Sequence, residues 1–90
     1  MEVVYFPLIV HRADDGFSAF FPDLPECRST GATVMDAVRN AGEALTGRVR
    51  VSAEFYDGIP SPSLLDDVPA GPSGEEVARV LVPVEIDDAP

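Results

Sequence analysis

Residues 13–33 read ADDGFSAFFPDLPECRSTGAT, and this stretch decides the fold. It opens with a tight-turn composition at 13–16, because aspartate side chains bond to nearby backbone and glycine tolerates positive φ. The alternation in Phe17–Phe21 then predicts a β-strand. Prolines interrupt 22–26, which is therefore neither helix nor central strand. Cys27–Thr30 is long enough for a short third strand, which the next glycine ends.

Outward from that stretch, Val3–Arg12 is rich in β-branched and aromatic residues and predicts a first strand, paired with 17–21 as a hairpin. Apolar side chains fall on both of its faces, with Phe6, Leu8 and Val10 on one and Tyr5 and Ile9 on the other. We therefore expect part of this strand to be covered on each side. A last strand is predicted at Val77–Ile86. Pro7 and Pro83 indicate strand edges or bulges, because proline donates no ladder hydrogen bond.

A helix is predicted to begin after Thr33, which can cap the first backbone N–H groups, and Asp36 supplies the reciprocal half of a capping box. One apolar stripe recurs along it at helical spacing: Val34, Ala37, Val38, Ala41, Leu45 and Val49. The pattern favours a helix to about Tyr56 that ends at Asp57-Gly58, with Gly58 as the stopping glycine. Residues 49–56 also alternate weakly between apolar and polar side chains, so a strand remains an alternative for that segment.

The order β-β-β-α-β predicts a single α+β domain over residues 1–90, an antiparallel sheet with one long helix packed on it. The chain is too short for two separate cores, and domains of this size often gain stability by oligomerising. Residues 57–74 are expected to form a connector, with one helical turn at 63–67. A short acidic tail at 87–90 is expected to be disordered.

Charge is the strongest compositional signal, since 16 acidic residues against 6 basic ones give a net charge of −10 and a pI near 4.1. Such a surface repels nucleic-acid phosphates and anionic lipids, which argues against both as direct partners. It attracts a basic protein, although acidity that serves solubility alone remains an alternative. The single cysteine, the lack of a basic leader and the lack of a membrane-length apolar run predict a cytoplasmic protein.

Taken together, several motifs resemble one known family. They are Asp14-Asp15-Gly16-Phe17, Phe21-Pro22-Asp23-Leu24-Pro25-Glu26-Cys27, Gly31-Ala32-Thr33, Asp36-Ala37, Asn40-Ala41, Glu43-Ala44-Leu45, Asp57-Gly58-Ile59-Pro60-Ser61-Pro62-Ser63 and Val80-Leu81-Val82-Pro83-Val84. In this order, over residues 3–86, they resemble the HicB family of type II antitoxins. The run FPDLP-x-C followed by a capped helix is the most specific part of the resemblance.

That resemblance implies a truncated ribonuclease-H-like fold and a non-catalytic antitoxin. The implied partner is a small basic HicA-type toxin, an mRNA-cleaving ribonuclease whose active site the antitoxin masks. The family usually has glycine where this chain has Glu26, so the turn before Cys27 is expected to differ. Many members continue into a DNA-binding segment, whereas this sequence reaches Pro90 soon after its last strand. Promoter binding is therefore in doubt, and the acidic surface predicts no direct nucleic-acid contact from this domain.

A ribonuclease-H-like fold raises the possibility of metal-dependent nuclease chemistry, which needs about four converging carboxylates. The candidates are Asp14, Asp15, Asp23 and Glu26, with Asp36 farther along. Turn geometry explains the first two and helix capping explains Asp36. The single histidine, His11, has no second imidazole for a metal site, and Cys27 is most simply a small apolar residue in the sheet. The sequence therefore predicts no enzyme, no metal and no cofactor.

Partner binding is assigned to side chains near the two predicted turns: the carboxylates Asp14, Asp15, Asp23 and Glu26, with Phe20 and Leu24 as apolar anchors. Alternatively, Phe20 belongs to the core and the carboxylates form a solvated rim. A homo-oligomer, dimer or tetramer, is expected. Three functions remain open: an antitoxin, a HicB-like interaction or scaffold domain without a toxin, and a metal-dependent nuclease remnant.

Overall fold

The computed structural model describes residues 2–55, 59–68 and 76–86, and it forms one antiparallel sheet with a long helix across one face. The elements are β1 (Glu2–Ala13), β2 (Gly16–Phe21), β3 (Leu24–Gly31), α1 (Val34–Phe55), a 3₁₀ turn (Leu65–Asp67) and β4 (Glu76–Ile86). The strands lie in the order β3-β2-β1-β4. This confirms the predicted α+β class and the order of its elements. The sheet face opposite α1 is called the open face below.

The β1–β2 hairpin has the register that the turn at 13–16 predicts. Ala13 lies opposite Gly16, and the pairing continues to Ile9 opposite Phe20. Gly16 has φ of +148°, and a Cβ there would come within 2.5 Å of the Gly31 carbonyl oxygen. Only glycine therefore allows both the backbone conformation and the close approach of β3 at this turn.

Both strand prolines lie where the neighbouring strand requires no N–H. Pro7 lies opposite Leu81 and Pro83 opposite Tyr5, so both fall in the same alternate class of β1–β4 pairs. Alternate pairs in an antiparallel ladder exchange no hydrogen bonds, which is the class that proline tolerates. β4 is an edge strand, as Pro83 predicted. β1 is an inner strand, but its pairing with β2 starts only at Ile9, so Pro7 has a strand on one side alone.

The helix starts as predicted, with one difference. The Asp36 amide donates to Thr33 Oγ1 at 3.0 Å, so Thr33 is the N-cap. The Asp36 carboxylate, however, accepts from Arg39 Nη2 at 2.7 Å and does not complete a capping box. The carboxylate is instead engaged by an i,i+3 ion pair along the helix surface.

The core lies between α1 and the sheet. It contains Phe6, Leu8, Val10, Ala19, Phe21, Leu24, Cys27, Ala37, Ala41, Leu45, Val49, Val82 and Val84. The predicted stripe of α1 therefore faces the sheet, with Val34 and Val38 at its margin. α1 also approaches β3 closely, because a Cβ on Gly31 would overlap the backbone of Ala37. The Ser29 hydroxyl donates to the Ala37 carbonyl at 2.7 Å at the same contact.

The connector passes from the helix side of the sheet to the open face. Ile59 packs against the core, and Asp23 then accepts from the Ser63 amide at 2.8 Å and its hydroxyl at 2.6 Å. Arg79, opposite Ile9 in the β1–β4 register, donates from Nη1 to the carbonyls of Leu65 and Val68. Val68 and Ile9 are both buried, at 7% and 3% exposure, and neither belongs to the helix-side core. The burial of Ile9 and Val68, together with the Arg79 contacts, places this part of the connector on the open face.

Some boundaries differ from the sequence-based prediction. β3 begins at Leu24, because the turn after β2 needs only the two residues 22 and 23. Residues 49–55 are helical, which settles the alternative that weak alternation left open. The one helical turn in the connector is present as the 3₁₀ turn. The predicted helix stop at Gly58, the connector residues 69–74 and the acidic tail 87–90 lie outside the described residues.

Leu45→Ala is expected to destabilise the domain by about 2–5 kcal/mol, because Leu45 is fully buried between α1 and the sheet and its truncation leaves a cavity. Urea unfolding followed by circular dichroism measures the change. Met35→Ala is the control on the same helix, since Met35 is 81% exposed and should change the free energy of unfolding little. Equal destabilisation by the two variants would contradict the assigned core face of α1.

Candidate partner-binding surfaces

The turn between β1 and β2 presents two free carboxylates. Asp14 and Asp15 are both exposed, and within the described residues neither forms an ion pair or a hydrogen bond. We call this pair the acidic turn. It borders a groove of about 510 Å³ that also includes Phe17, Thr30 and Ala32. Carboxylates without an intramolecular partner remain available to a cationic group from outside the chain.

The other two predicted carboxylates are engaged within the chain. Asp23 bonds to the backbone and hydroxyl of Ser63, and Glu26 Oε1 accepts from Arg48 Nε at 2.9 Å. The hydrogen bond from Arg48 lowers the pKa of Glu26 from its ordinary value of 4.5. Glu26 therefore links β3 to α1, and Asp23 anchors the connector.

The two predicted apolar anchors lie in different environments. Leu24 is only 2% exposed and lies in the helix-side core, so it is not an exposed anchor. The irregular register between Phe20 and Phe21 sets Leu24 opposite Phe21 and turns its side chain toward α1. Phe20 is half-buried on the open face, where its ring meets the His11 ring edge-on at 5.3 Å between centroids.

The six predicted residues do not form one site. The acidic turn precedes β2, whereas Asp23 and Glu26 follow it, and the six residues of β2 separate the two ends by roughly 17 Å. No single small ligand contacts both ends. A protein partner that covers the whole length of the hairpin does.

The described residues do not support a metal site or an activated nucleophile. Over residues 2–55, 59–68 and 76–86, no three His, Cys, Asp or Glu side chains are close enough together to hold a metal ion. Cys27 is 4% exposed, and burial raises the pKa of its thiol, so it behaves as the apolar core residue that the sequence predicted. In the same described ranges, no helix has the length and apolar composition to cross a membrane.

A second groove, which the sequence did not reveal, lies on the open face. It has a volume of about 470 Å³ and includes His11, Ser18, Phe20, Pro25, Arg28 and Thr30. We call it the histidine groove. Its residues come from three strands, and only the register of β1, β2 and β3 brings them together. A period-two pattern would have shown that Ser18 and Phe20 share a face, but no sequence signal gives the cross-strand neighbours His11 and Arg28.

The open face also carries exposed apolar side chains near β4. Val3, Tyr5 and Leu81 are 49%, 53% and 49% exposed. Tyr5 lies opposite Pro83 and Leu81 opposite Pro7, so these side chains are neighbours across two strands. They continue to the outer edge of the sheet, because among the described strands β4 pairs only with β1.

The fold and these surfaces define a class: a small acidic α+β domain in which, over the residues that the structure describes, the candidate carboxylates do not converge on one site. The family model described as "HicB_like antitoxin of bacterial toxin-antitoxin system" matches residues 6–89. The chain therefore belongs to the HicB-like antitoxin family. Membership in an antitoxin family confirms the predicted resemblance and the prediction that the chain is not an enzyme.

Comparison with solved structures supports the same family. The N-terminal domain of the Burkholderia pseudomallei antitoxin HicB superposes with a TM-score of 0.80 at 30% identity, over 92% of this chain and 100% of that one. A chain of the HicA3 and HicB3 toxin–antitoxin complex is similar at 30% identity and a TM-score of 0.51, over 93% of this chain and 99% of that one.

A curated relative is also similar. It is an uncharacterised 14.9 kDa protein from the rep–hol intergenic region of Haemophilus phage HP1 (strain HP1c1), 25% identical over 81 residues. The match covers 90% of this chain and 61% of the phage protein, so the chain spans about three fifths of that relative's length.

Glu26→Gln is expected to remove stability that depends on pH. The pKa of Glu26 is lowered in the folded chain, so its contribution is present above about pH 4.5 and is lost as the pH falls through the folded value. The difference in free energy of unfolding between wild type and variant should therefore be larger at pH 7 than at pH 3. Glu43→Gln is the control, since Glu43 is exposed on α1 without an ion pair in the described chain. The same pH dependence for both variants would contradict the role of the Arg48 contact.

Proposed function

We propose that this chain is the antitoxin of a toxin–antitoxin pair, which binds a small basic HicA-type mRNA-cleaving toxin and masks its active site. The observation that carries the proposal is its similarity to a chain of the HicA3 and HicB3 complex, which spans 93% of this protein. The match of residues 6–89 to an antitoxin family supports the same role.

Charge supplies the physical basis for recognition. The net charge of −10 attracts a basic protein over several ångströms and speeds its association. Within that field, the acidic turn is the point of contact that the structure favours among the predicted carboxylates. Asp14 and Asp15 have no partner to give up, whereas Asp23 and Glu26 already bind Ser63 and Arg48. Phe20 remains as the predicted apolar anchor, on the open face.

The location of the protein in the cell is inferred from the same antitoxin role. A protein that neutralises an mRNA-cleaving toxin acts where mRNA is translated, so we place it in the cytoplasm. The four-stranded sheet with one helix would be a truncated ribonuclease-H-like domain that retains a scaffold for protein contacts. With its strongly acidic surface, this domain is not expected to bind nucleic acid directly.

A homo-oligomer, dimer or tetramer, is part of the proposal. β4 has one strand neighbour, and Val3, Tyr5 and Leu81 expose apolar surface beside it. Unpaired edges and exposed apolar side chains are stabilised when a second copy covers them. The alternative function, a HicB-like scaffold domain without a toxin, would need a partner of other chemistry. A nuclease remnant is disfavoured by the separation of the candidate carboxylates.

The test is inhibition of a ribonuclease. A small basic protein encoded beside this chain is purified, and its cleavage of mRNA is measured with increasing amounts of the antitoxin. We expect loss of cleavage at a stoichiometric ratio, together with a complex on size-exclusion chromatography. A neighbouring basic protein that neither binds nor loses activity would contradict the antitoxin role and favour the scaffold alternative.

The acidic turn is tested in the same assay by Asp14→Asn combined with Asp15→Asn. Two exposed charge contacts contribute about 0.2–1 kcal/mol each, so the toxin should bind roughly 2- to 30-fold more weakly. Glu43→Gln combined with Glu85→Gln removes the same charge from exposed positions on α1 and β4. An equal loss for both pairs would indicate that only net charge matters and not the acidic turn.

The oligomeric state is measured by light scattering on the purified protein. We expect a dimer or tetramer that Leu81→Glu weakens, because a carboxylate there disrupts both the apolar patch and the adjacent edge. Met35→Glu, at an exposed position on α1, adds the same charge on the other side of the domain. A monomeric wild type would contradict this part of the proposal.

A further inference from the structure

The histidine groove is unusual in this chain because its only formal charge is positive. Arg28 lies on β3 opposite Phe20, on the face away from α1. Its Nε donates to the Pro25 carbonyl at 3.0 Å, which holds the guanidinium at the wall of the groove. Among the described residues, no carboxylate pairs with Arg28. By contrast, Arg39 and Arg79 each pair with a carboxylate three residues away.

What distinguishes Arg28 from other arginines without a described ion pair is its position at the wall of a groove, in a protein with a net charge of −10. With Nε engaged, both terminal nitrogens of the Arg28 guanidinium stay available as donors. A planar pair of donors of this kind suits a carboxylate, which it binds through two parallel hydrogen bonds.

His11 gives an independent indication at the other side of the groove. Its Nε2 atom is buried and has no hydrogen-bond partner in the described structure. A buried polar atom without a hydrogen-bond partner destabilises the fold unless something compensates it. The ring is held by its edge-on contact with Phe20, which lies at an angle of 89° to it. A group that enters the groove and reaches Nε2 after a small rotation of the ring would give this atom a hydrogen-bond partner.

The remaining residues of the groove define what enters. Phe20 and Pro25 supply apolar surface, and the hydroxyls of Ser18 and Thr30 supply further donors. The groove is open to solvent along one side, so it suits a side chain presented by another protein surface better than an enclosed small molecule. The charges favour an acidic side chain.

We propose that the histidine groove receives an aspartate or glutamate side chain of the toxin, with Arg28 as its ionic partner and His11 as a second hydrogen-bonding group. This inference rests on the proposed function, since it specifies a contact within the same complex. In this contact the antitoxin contributes the positive charge, whereas at the acidic turn it contributes the negative charge. Contacts of both polarities fix the orientation of two proteins, because a rotated arrangement brings like charges together.

The experiment reverses the charge of Arg28 and compares it with a matched arginine. Arg50 is exposed on α1 and, like Arg28, has no ion pair among the described residues. Arg28→Glu and Arg50→Glu make the chain equally more acidic. Long-range attraction to a basic toxin should therefore tighten both variants by the same small factor. If Arg28 forms a specific contact with the toxin, Arg28→Glu should weaken binding, whereas Arg50→Glu should not.

We expect Arg28→Glu to weaken toxin binding by about tenfold or more, and Arg50→Glu to leave it unchanged or tighten it slightly, as measured by calorimetry at moderate salt. The pair Arg28→Gln and Arg50→Gln repeats the comparison without reversing charge, and His11→Phe should also weaken binding. Circular dichroism checks that each variant is folded.

The outcomes separate this inference from the function on which it rests. If the wild type binds the toxin and Arg28→Glu binds as tightly as Arg50→Glu, the groove contact is wrong and the antitoxin role stands. If the wild type does not bind the basic neighbour, both proposals are overturned. The contact between Arg28 and a toxin carboxylate would be established by two results. Substituting that carboxylate in the toxin should weaken binding as Arg28→Glu does, and combining the two variants should cause no further loss.

Discussion

The structure depends on the burial of β1 on both faces at once. Five consecutive residues, Phe6 to Val10, are all buried. Because alternate side chains of a strand point to opposite faces, a sheet with one helix covers only Phe6, Leu8 and Val10. Pro7 and Ile9 need cover from the other side. On that face lies the connector, which Arg79, opposite Ile9 in the sheet, holds through the carbonyls of Leu65 and Val68.

That route is held by polar contacts at two points. Asp23 binds Ser63 where the connector leaves the helix side, and Arg79 binds the carbonyls of Leu65 and Val68 where it reaches the open face. Glu76 pairs with Arg79 through both of its carboxylate oxygens and raises the pKa of the guanidinium further above its usual value. Carboxylates such as Asp23 that looked available for a partner are therefore needed to complete the domain.

Local patterns were sufficient to predict the type and order of the main elements. The turn at 13–16, the Thr33 cap and the apolar stripe of α1 each depend on residues a few positions apart, and all three are present. The candidate binding surfaces were harder to predict from the sequence, because their residues are brought together by strand register and by contacts between distant positions. Nothing near Glu26 in the sequence indicates that Arg48 lies beside it. Likewise, the irregular pairing at Phe21 turns Leu24 inward, and no period-two pattern shows it. Only Asp14 and Asp15, which protrude at a turn, were placed by local signals alone.

The contact between α1 and β3 has a consequence for how such sheets associate. The Asn40 side-chain amide donates to the Thr30 carbonyl at 2.8 Å, and it thereby uses one of the acceptors that a strand added to β3 would require. The sheet thus has one edge partly shielded by its own helix and one, at β4, without a described neighbour. If two copies joined through β4, as proposed, the outer edges of the joined sheet would be the two partly shielded β3 edges, which would limit further growth. The helix that completes the core also favours a closed pair over an open-ended fibre.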